Sequence, residues 1–178
     1  GGAEAGARLA VLAAAGAFVT QSWDDALDVL TVAAERGFLL AQGQLIALVG
    51  GTGGPVTPET WRRLREKIDL SFWTRPTPAT ALHDDPNVRA FAGLAPPSVC
   101  DWLIDRARDR LVRAEVYDPV AQRDFVSETR TNTAAKFNLV ETDVVQLLMQ
   151  QRMSACCGIP VHHMEGGAVL HYAPGEQM

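Results

Sequence analysis

The sequence predicts an α+β protein, with helices through the first half and short strands gathered in the second. Three observations lead there. Ala, Leu and Val recur at helical spacing through residues 3–50, with capping residues between the runs. Three prolines, Pro76, Pro78 and Pro86, fall within residues 74–86. Beyond them, alternating and β-branched segments interleave with two further apolar helical stripes. A chain of 178 residues buries roughly 70% of its unfolded surface, enough for a core. With 47% hydrophobic and 21% charged residues, the bulk of it is not of disordered composition. A net charge of -5 argues against a nucleic-acid backbone as the main partner. No apolar run approaches the ~20 residues that span a bilayer, and no basic region feeds a cleavable apolar stretch. Neither nucleic acid nor membrane is an expected partner. Cys100, Cys156 and Cys157 are odd in number and two are adjacent, with no C-x-x-C pair. They are expected as small buried thiols in a reducing compartment, hence a cytoplasmic location.

The elements follow in order. AEAGARLAVLAAAG has strong helix composition. Ser22, with Asp25 three residues on, starts a second helix, WDDALDVLTVAAERG. Its two early acids suit the helix dipole, and Gly37 suits its end. A third helix follows in FLLAQGQLIALVG. Ala5, Leu9 and Leu12 recur thirty-six residues on as Ala41, Leu45 and Leu48. A period in the thirties with two helices per unit indicates stacked helical hairpins. The pattern resembles the tetratricopeptide-like family of Sel-type repeats: A-x-x-x-L-x-x-L, then D-D-A-L, then A-A-E-R-G. The resemblance covers about one and a half units. Gly50, Gly51, Gly53 and Gly54 break the helices without the Gly-Lys-Ser/Thr of a phosphate loop. Thr57 and Pro58 begin a helix, ETWRRLREKIDL, whose basic run is expected in solvent. TRPTPATALHDDP reads as an extended linker.

In the second half, NVRAFAGL reads as a strand. Ser98, with Asp101, is expected to cap SVCDWLIDRARDRLV, whose stripe is Val99, Leu103, Ala107 and Leu111. FVSETRTNT reads as a strand and its turn. A long helix is expected from about Glu141 to Cys157, ended by Gly158 and Pro160. GGAVLHY reads as a short strand opening into the turn APGEQM.

No Ser-His-Asp order, nucleotide fingerprint or H-E-x-x-H is present. The densest polar cluster is His162, His163, Glu165, His171 and Tyr172. Three histidines near a carboxylate have metal-binding chemistry, but adjacent histidines in a strand point to opposite faces. The order of elements carries more. FAGLAPPSVCDWLIDRA, the R-T-N of Arg130 to Asn132, ETDVVQLLMQQRMSACCGIP and EGGAVLHYAPGEQ together resemble the prolyl 4-hydroxylase-like family of iron(II)- and 2-oxoglutarate-dependent oxygenases. The resemblance spans roughly residues 88–178, and its last motif is the most specific.

That resemblance implies the helix-supported first part of a double-stranded β-helix, or jelly-roll. In the family, two histidines and a carboxylate hold one face of iron, with 2-oxoglutarate beside it and ascorbate as an accessory reductant. The family's His-x-Asp pair follows Y-x-P-G by a few residues, which places it beyond Met178. No metal ligand or catalytic residue is therefore expected within residues 1–178, and no cofactor is expected to bind them alone. Three residues carry over. Tyr172 matches the tyrosine whose hydroxyl helps hold 2-oxoglutarate, as a phenol donor can. Arg130 matches the R-T-S arginine implied in the peptide groove, where a guanidinium fork can grip carbonyls or a carboxylate. Glu165 matches a glutamate also implied in peptide contact. Asn132 stands where the family often has Ser, and Met178 where many members have an aromatic residue.

The expected domains are a helical repeat over 1–73, a Pro-rich linker over 74–87 and the oxygenase-like part over 88–178. The expected function is that of part of a dioxygenase hydroxylating a prolyl or other side chain of a peptide or protein, with the repeat docking that substrate. The alternative is a protein-interaction module built on the repeat, its oxygenase-like half inactive. Half a jelly-roll exposes strand edges and an apolar face. A second copy of the chain, in a homo-oligomer, is one of the covers the sequence allows.

Overall fold

Helix starts fall where side chains satisfy backbone groups that a helix leaves unpaired. The computed structural model describes residues 2–177. Met178, and with it the sequence comparison made there, lies outside the described residues. Helix α1 spans Gly2–Ala15 and α2 spans Trp23–Glu35. Ser22 caps α2 by accepting from Asp25 N at 3.2 Å. Helix α3, Leu39–Val49, stops at Gly50, whose φ of 79° is the left-handed conformation that spares glycine a Cβ clash. Helix α4, Pro58–Lys67, starts with Pro in its first turn and a Thr57–Thr60 capping box. The apolar tail expected to prolong it is instead a separate short helix, α5, Leu70–Thr74, capped by Asp69.

Residues 79–84, inside the stretch expected as a linker, form strand β1 (Ala79–Asp84), which pairs antiparallel with β2 (Asn87–Phe91). Helix α6 covers Pro97–Arg108, with Pro96 at its cap position. Ser98 is thus not the cap. Its hydroxyl donates to the Ala47 carbonyl at 2.6 Å and ties α6 to α3. Helix α7 covers Val144–Cys157, with Asp143 as its cap and Gln146 completing a capping box. It starts later than the expected Glu141, because Asp143, in extended conformation, supplies the acceptor. Gly158 ends it at a φ of 72°.

The second half holds three small antiparallel sheets' worth of strands, counting the β1–β2 hairpin. Strands β4 (Val116–Asp118) and β5 (Arg123–Phe125) make another hairpin. The third sheet has the order β3–β6–β7, built from Val112–Arg113, Thr133–Lys136 and Ala168–His171. No sheet closes into a barrel among the described residues. Of the stretch FVSETRTNT, only Phe125 and Thr133 lie in strands, and the rest is irregular.

The main core joins both halves. Leu27, Leu30, Leu45, Trp61 and Leu64 of the first helices pack in one cluster with Trp73, Val99, Val144, Val145 and Leu148. The sheet adds only a satellite of Ala107, Ala135 and Phe137, with Leu111 and Val169 against it. Direct pairing of Ala135 with Val169 puts both on the face toward α6. On the opposite face lie Val112, Ala134 and Leu170, two of them 67% and 44% exposed. The basic run of α4 is exposed at Arg62, Arg63 and Lys67, as expected, while Arg65 is partly covered and meets Asp24 at 2.6 Å and Asp28 at 2.8 Å; Arg62 also meets Glu35 at 2.5 Å. The thiols differ from expectation too. Cys100 and Cys157 are exposed and Cys156 is half-buried, all three free, because they sit on helix faces turned from the core.

At Gly43 the two halves pack closely. A Cβ there would overlap the ring of Trp102 on α6. Gly43→Ala is expected to push α6 from α3 and destabilise the fold by about 1–3 kcal/mol. Urea unfolding followed by circular dichroism measures this.

Candidate functional site

Antiparallel register sets the geometry of the residues singled out by sequence. Thr133 pairs with His171 as the last ladder pair. The next residues are Asn132 and Tyr172, so the two meet at one end of the sheet. Beyond them Thr131 N donates to the Gln177 carbonyl at 2.8 Å, and Gln177 N donates to the Thr131 hydroxyl at 2.7 Å. Between these ties the chain turns, with Glu176 N donating to the Ala173 carbonyl at 2.9 Å. Alternation places Tyr172 on the face of Leu170, away from α6, and it is 40% exposed.

Asn132 is fully buried. Its amide donates to the Thr133 carbonyl at 3.0 Å, and its carbonyl accepts from Arg130 Nε at 3.0 Å. Arg130 Nη1 donates to the Glu115 carbonyl at 3.1 Å. The guanidinium is therefore oriented by two contacts, and its remaining edge is presented outward. Arg130, Asn132 and Tyr172 share one end of the sheet. Glu165 does not join them. It precedes β7, on the side where Phe137 N donates to the Gly167 carbonyl, so the four-residue strand Ala168–His171 runs between it and Tyr172.

His162 and His163 lie in a single 3-10 turn, Val161–His163, not in a strand. Their rings pack edge to face at 4.3 Å. Among the described residues no group of three or more His, Cys, Asp or Glu converges to hold a metal ion. The side chains present do not fit an iron site of two histidines and a carboxylate, and no chemical step through iron is assigned to them.

One buried polar cluster went unread in the sequence. Asp143 is 6% exposed. Its Oδ1 accepts from Gln146 N at 2.9 Å, while Oδ2 accepts from Trp102 Nε1 at 3.0 Å and Arg106 Nε at 3.3 Å. Burial pushes the Asp143 carboxyl above the usual aspartate range, against the pull of those donors. Nearby, Val144 N donates to Gln44 Oε1 at 2.9 Å, and Arg8 donates to the Val140 carbonyl. A buried carboxyl with a raised pKa beside a cleft is a recurrent mark of function. Here both oxygens are engaged by structural donors, so the cluster acts as a joint. D-V-V-Q before an apolar run was the legible signal for it.

No protein-family model, curated protein or solved structure matches the chain.

Two outcomes follow. Asp143→Ala removes the α7 cap and leaves Arg106 without its carboxylate, and is expected to cost about 3 kcal/mol. Asp143→Asn keeps an acceptor and costs less. Equal unfolding midpoints for both variants and the parent protein would contradict the joint. Glu141 behaves oppositely to Asp143. The Arg110 guanidinium, 2.7 Å away, holds its carboxyl below the ordinary 4.5. A carboxyl lowered in the fold stabilises above that value, and the contribution is lost as pH falls through the lowered one. Glu141→Gln should lower stability in the neutral range, where the contribution is fully present, and match the parent protein once pH has fallen below the lowered value, so that the acid limb flattens, as thermal melts across pH will show.

Proposed function

We propose that this chain is part of an iron(II)- and 2-oxoglutarate-dependent dioxygenase of the prolyl 4-hydroxylase-like kind, acting on a peptide or protein side chain. The observation that supports it most is the strand Ala168–His171 with the Tyr172-to-Gly175 turn after it, held antiparallel to β6. That strand is backed by α6 on one face and carries an open apolar face on the other. Such a sheet has the form of one wall of a jelly-roll, and its open face is the side a cup would enclose. In this reading α1–α4 are Sel-like hairpins that dock the substrate protein. Tyr172 donates its hydroxyl to a 2-oxoglutarate carboxylate, and the free edge of Arg130 takes a peptide carbonyl. Asn132 holds Arg130 in place, and Glu165 meets a more distant part of the peptide. Iron, when bound by ligands other than the residues described, would supply dioxygen activation.

The second reading, an interaction module, draws on one observation: the large core belongs to the helices, and the sheet adds only a small cluster. A fold sustained by its helices can present a surface without any chemistry in the sheet.

The deciding experiment uses the protein as its gene encodes it. Iron- and 2-oxoglutarate-dependent succinate release with peptide substrates supports the first reading. Neither turnover nor 2-oxoglutarate binding by calorimetry would leave the second. In that protein Tyr172→Phe should weaken 2-oxoglutarate binding by roughly 1.5–3 kcal/mol, the worth of a hydrogen bond to a charged group. An unchanged affinity removes Tyr172 from the site.

A further inference from the structure

The loop between α1 and α2 is tied at its base and open at its tip. Gln21 donates its amide to the Ala14 carbonyl at 2.8 Å, and Ser22 N donates to the Ala13 carbonyl at 3.1 Å. Within these ties, Phe18, Val19 and Thr20 form no backbone–backbone hydrogen bond among the described residues. Phe18 is 95% exposed and holds a φ of 65°, the left-handed region where a residue with a Cβ is strained. Its ring packs on nothing, in a backbone conformation that favours glycine. Strain of this kind recurs at ligand clamps.

Beside the loop lies a cavity of about 360 Å³, bounded by Ala15 and Gln21 from the loop's two ends, by α7 and by the turn Val161–His163. Its apolar lining is Trp23, Leu147 and Val161, all partly buried. Leu147, Gln151 and Ser154 stand at i, i+4 and i+7 on α7 and so share one face. Val144, Val145, Leu148 and Arg152 form a separate, buried stripe. The Gln151 amide, the Ser154 hydroxyl and the His162 ring also line the cavity, and none makes a hydrogen bond among the described residues. His163 packs edge to face on His162 at 4.3 Å and limits its rotation. Three uncommitted polar side chains thus meet an apolar lining, and no carboxylate, ammonium or guanidinium joins them. Small-molecule sites are built from an apolar cavity with a few placed polar groups.

This lining selects its ligand. An ion would lose hydration there and meet no counter-charge. The Trp23 indole favours a flat ring, which gains from stacking. The Gln151 amide offers a donor and an acceptor side by side, the complement of a cyclic-amide edge. A volume near the low end for small-molecule sites admits one ring or two fused rings. Phe18 is three residues from Ala15 and three from Gln21, so chain length keeps it within about 11 Å of both.

We propose that this cavity binds a small uncharged planar heterocycle with a cyclic-amide edge, of nucleobase type, between Trp23 and a Phe18 ring that swings in to cover it. Gln151 pairs the amide edge, and Ser154 and His162 take the remaining polar groups. Burial of the Phe18 ring on the ligand offsets the strain in its backbone. Every residue involved belongs to the α1–α2 hairpin, α7 or the turn after it, so the site does not rest on the oxygenase reading, and iron plays no part in it.

Saturation-transfer NMR and tryptophan fluorescence titrations with uracil, thymine and hypoxanthine test this. Saturable binding of at least one base is expected. Ser154→Ala should weaken it about three- to tenfold, as loss of one neutral hydrogen bond implies. Phe18→Gly should weaken it at least about fivefold through lost stacking. The same change should leave the melting temperature of the ligand-free protein equal or raised, since glycine suits the left-handed backbone. The N-methylated form of the base that binds keeps its ring and loses its donor, so it should bind at least about tenfold more weakly. Its carboxylated analogue should bind more weakly too. No saturable binding of any of the three bases, equal affinity in the parent protein and both variants, or an N-methylated or carboxylated form that binds as well as the simple base would each overturn the proposal.

Discussion

Asp143 sits where the helical half and the sheet-bearing half meet, and the arrangement of both depends on its carboxylate. It is at once the cap of α7 and the acceptor for Trp102 and Arg106 of α6. Capping alone is worth about 1 kcal/mol. The larger constraint is desolvation: a carboxylate this buried must keep every donor it has, or it becomes an uncompensated charge. The start of α7 and the rotation of α6 are therefore coupled. Neither helix can turn about its axis without stranding a polar group. The same junction receives Gln44 from α3, which meets the α7 backbone through its Oε1. Ser98 fixes the other end of the contact on Ala47.

The far end of α7 is secured in a different way. Arg152 is buried and donates to the carbonyls of Phe72 and Arg75, at the C-terminus of α5, while its guanidinium lies 4.1 Å from the Phe72 ring centre. Orphan carbonyls at a helix C-terminus are a natural site for a cation. No carboxylate is needed, and the charge is spread over carbonyls and a ring. Helix α7 is thus held by an anion at its start and a cation near its end. The sheet hangs from this frame through α6, whose Ala107 packs on Ala135. Four-residue strands with a satellite core cannot hold themselves together. The position of Tyr172 and Arg130 consequently follows from helix packing.

What could be read from the sequence divides along the same line. Ser22, Thr57 with Pro58, and Gly50 and Gly158 act through one or two neighbours, and local chemistry was enough to place them. Ser98 shows the limit: its type and spacing suit a cap, but the oxygen is claimed by Ala47, fifty-one residues away. The β1 strand was hidden by flanking prolines, because pairing with β2 is a contact that composition does not display. The cysteines looked like core residues by type, yet their helical phase faces outward. Trp102 and Arg106 carry no sign of Asp143 in their own surroundings, so the joint was legible only as a capping box. At the candidate site, the R-T-N and H-Y residues were legible as a group. The distance of Glu165 from them was not, since it depends on β7 being extended along its whole length.

Arg130 bears on how any peptide could be held at this end of the sheet. A guanidinium has five N–H donors in a fixed plane. Nε is committed to Asn132 and one donor of Nη1 to Glu115. Asn132 is buried with its own amide spent on Thr133, so it cannot turn to meet a ligand. The role of Asn132 is then positional: its carbonyl reaches Nε and sets the plane of the fork. What is left to a ligand is the outer edge of that plane, chiefly Nη2. One edge favours a single carbonyl or one carboxylate oxygen pair, in a fixed direction. Recognition here would read backbone position more than side-chain identity, which leaves selectivity to surfaces elsewhere on the chain.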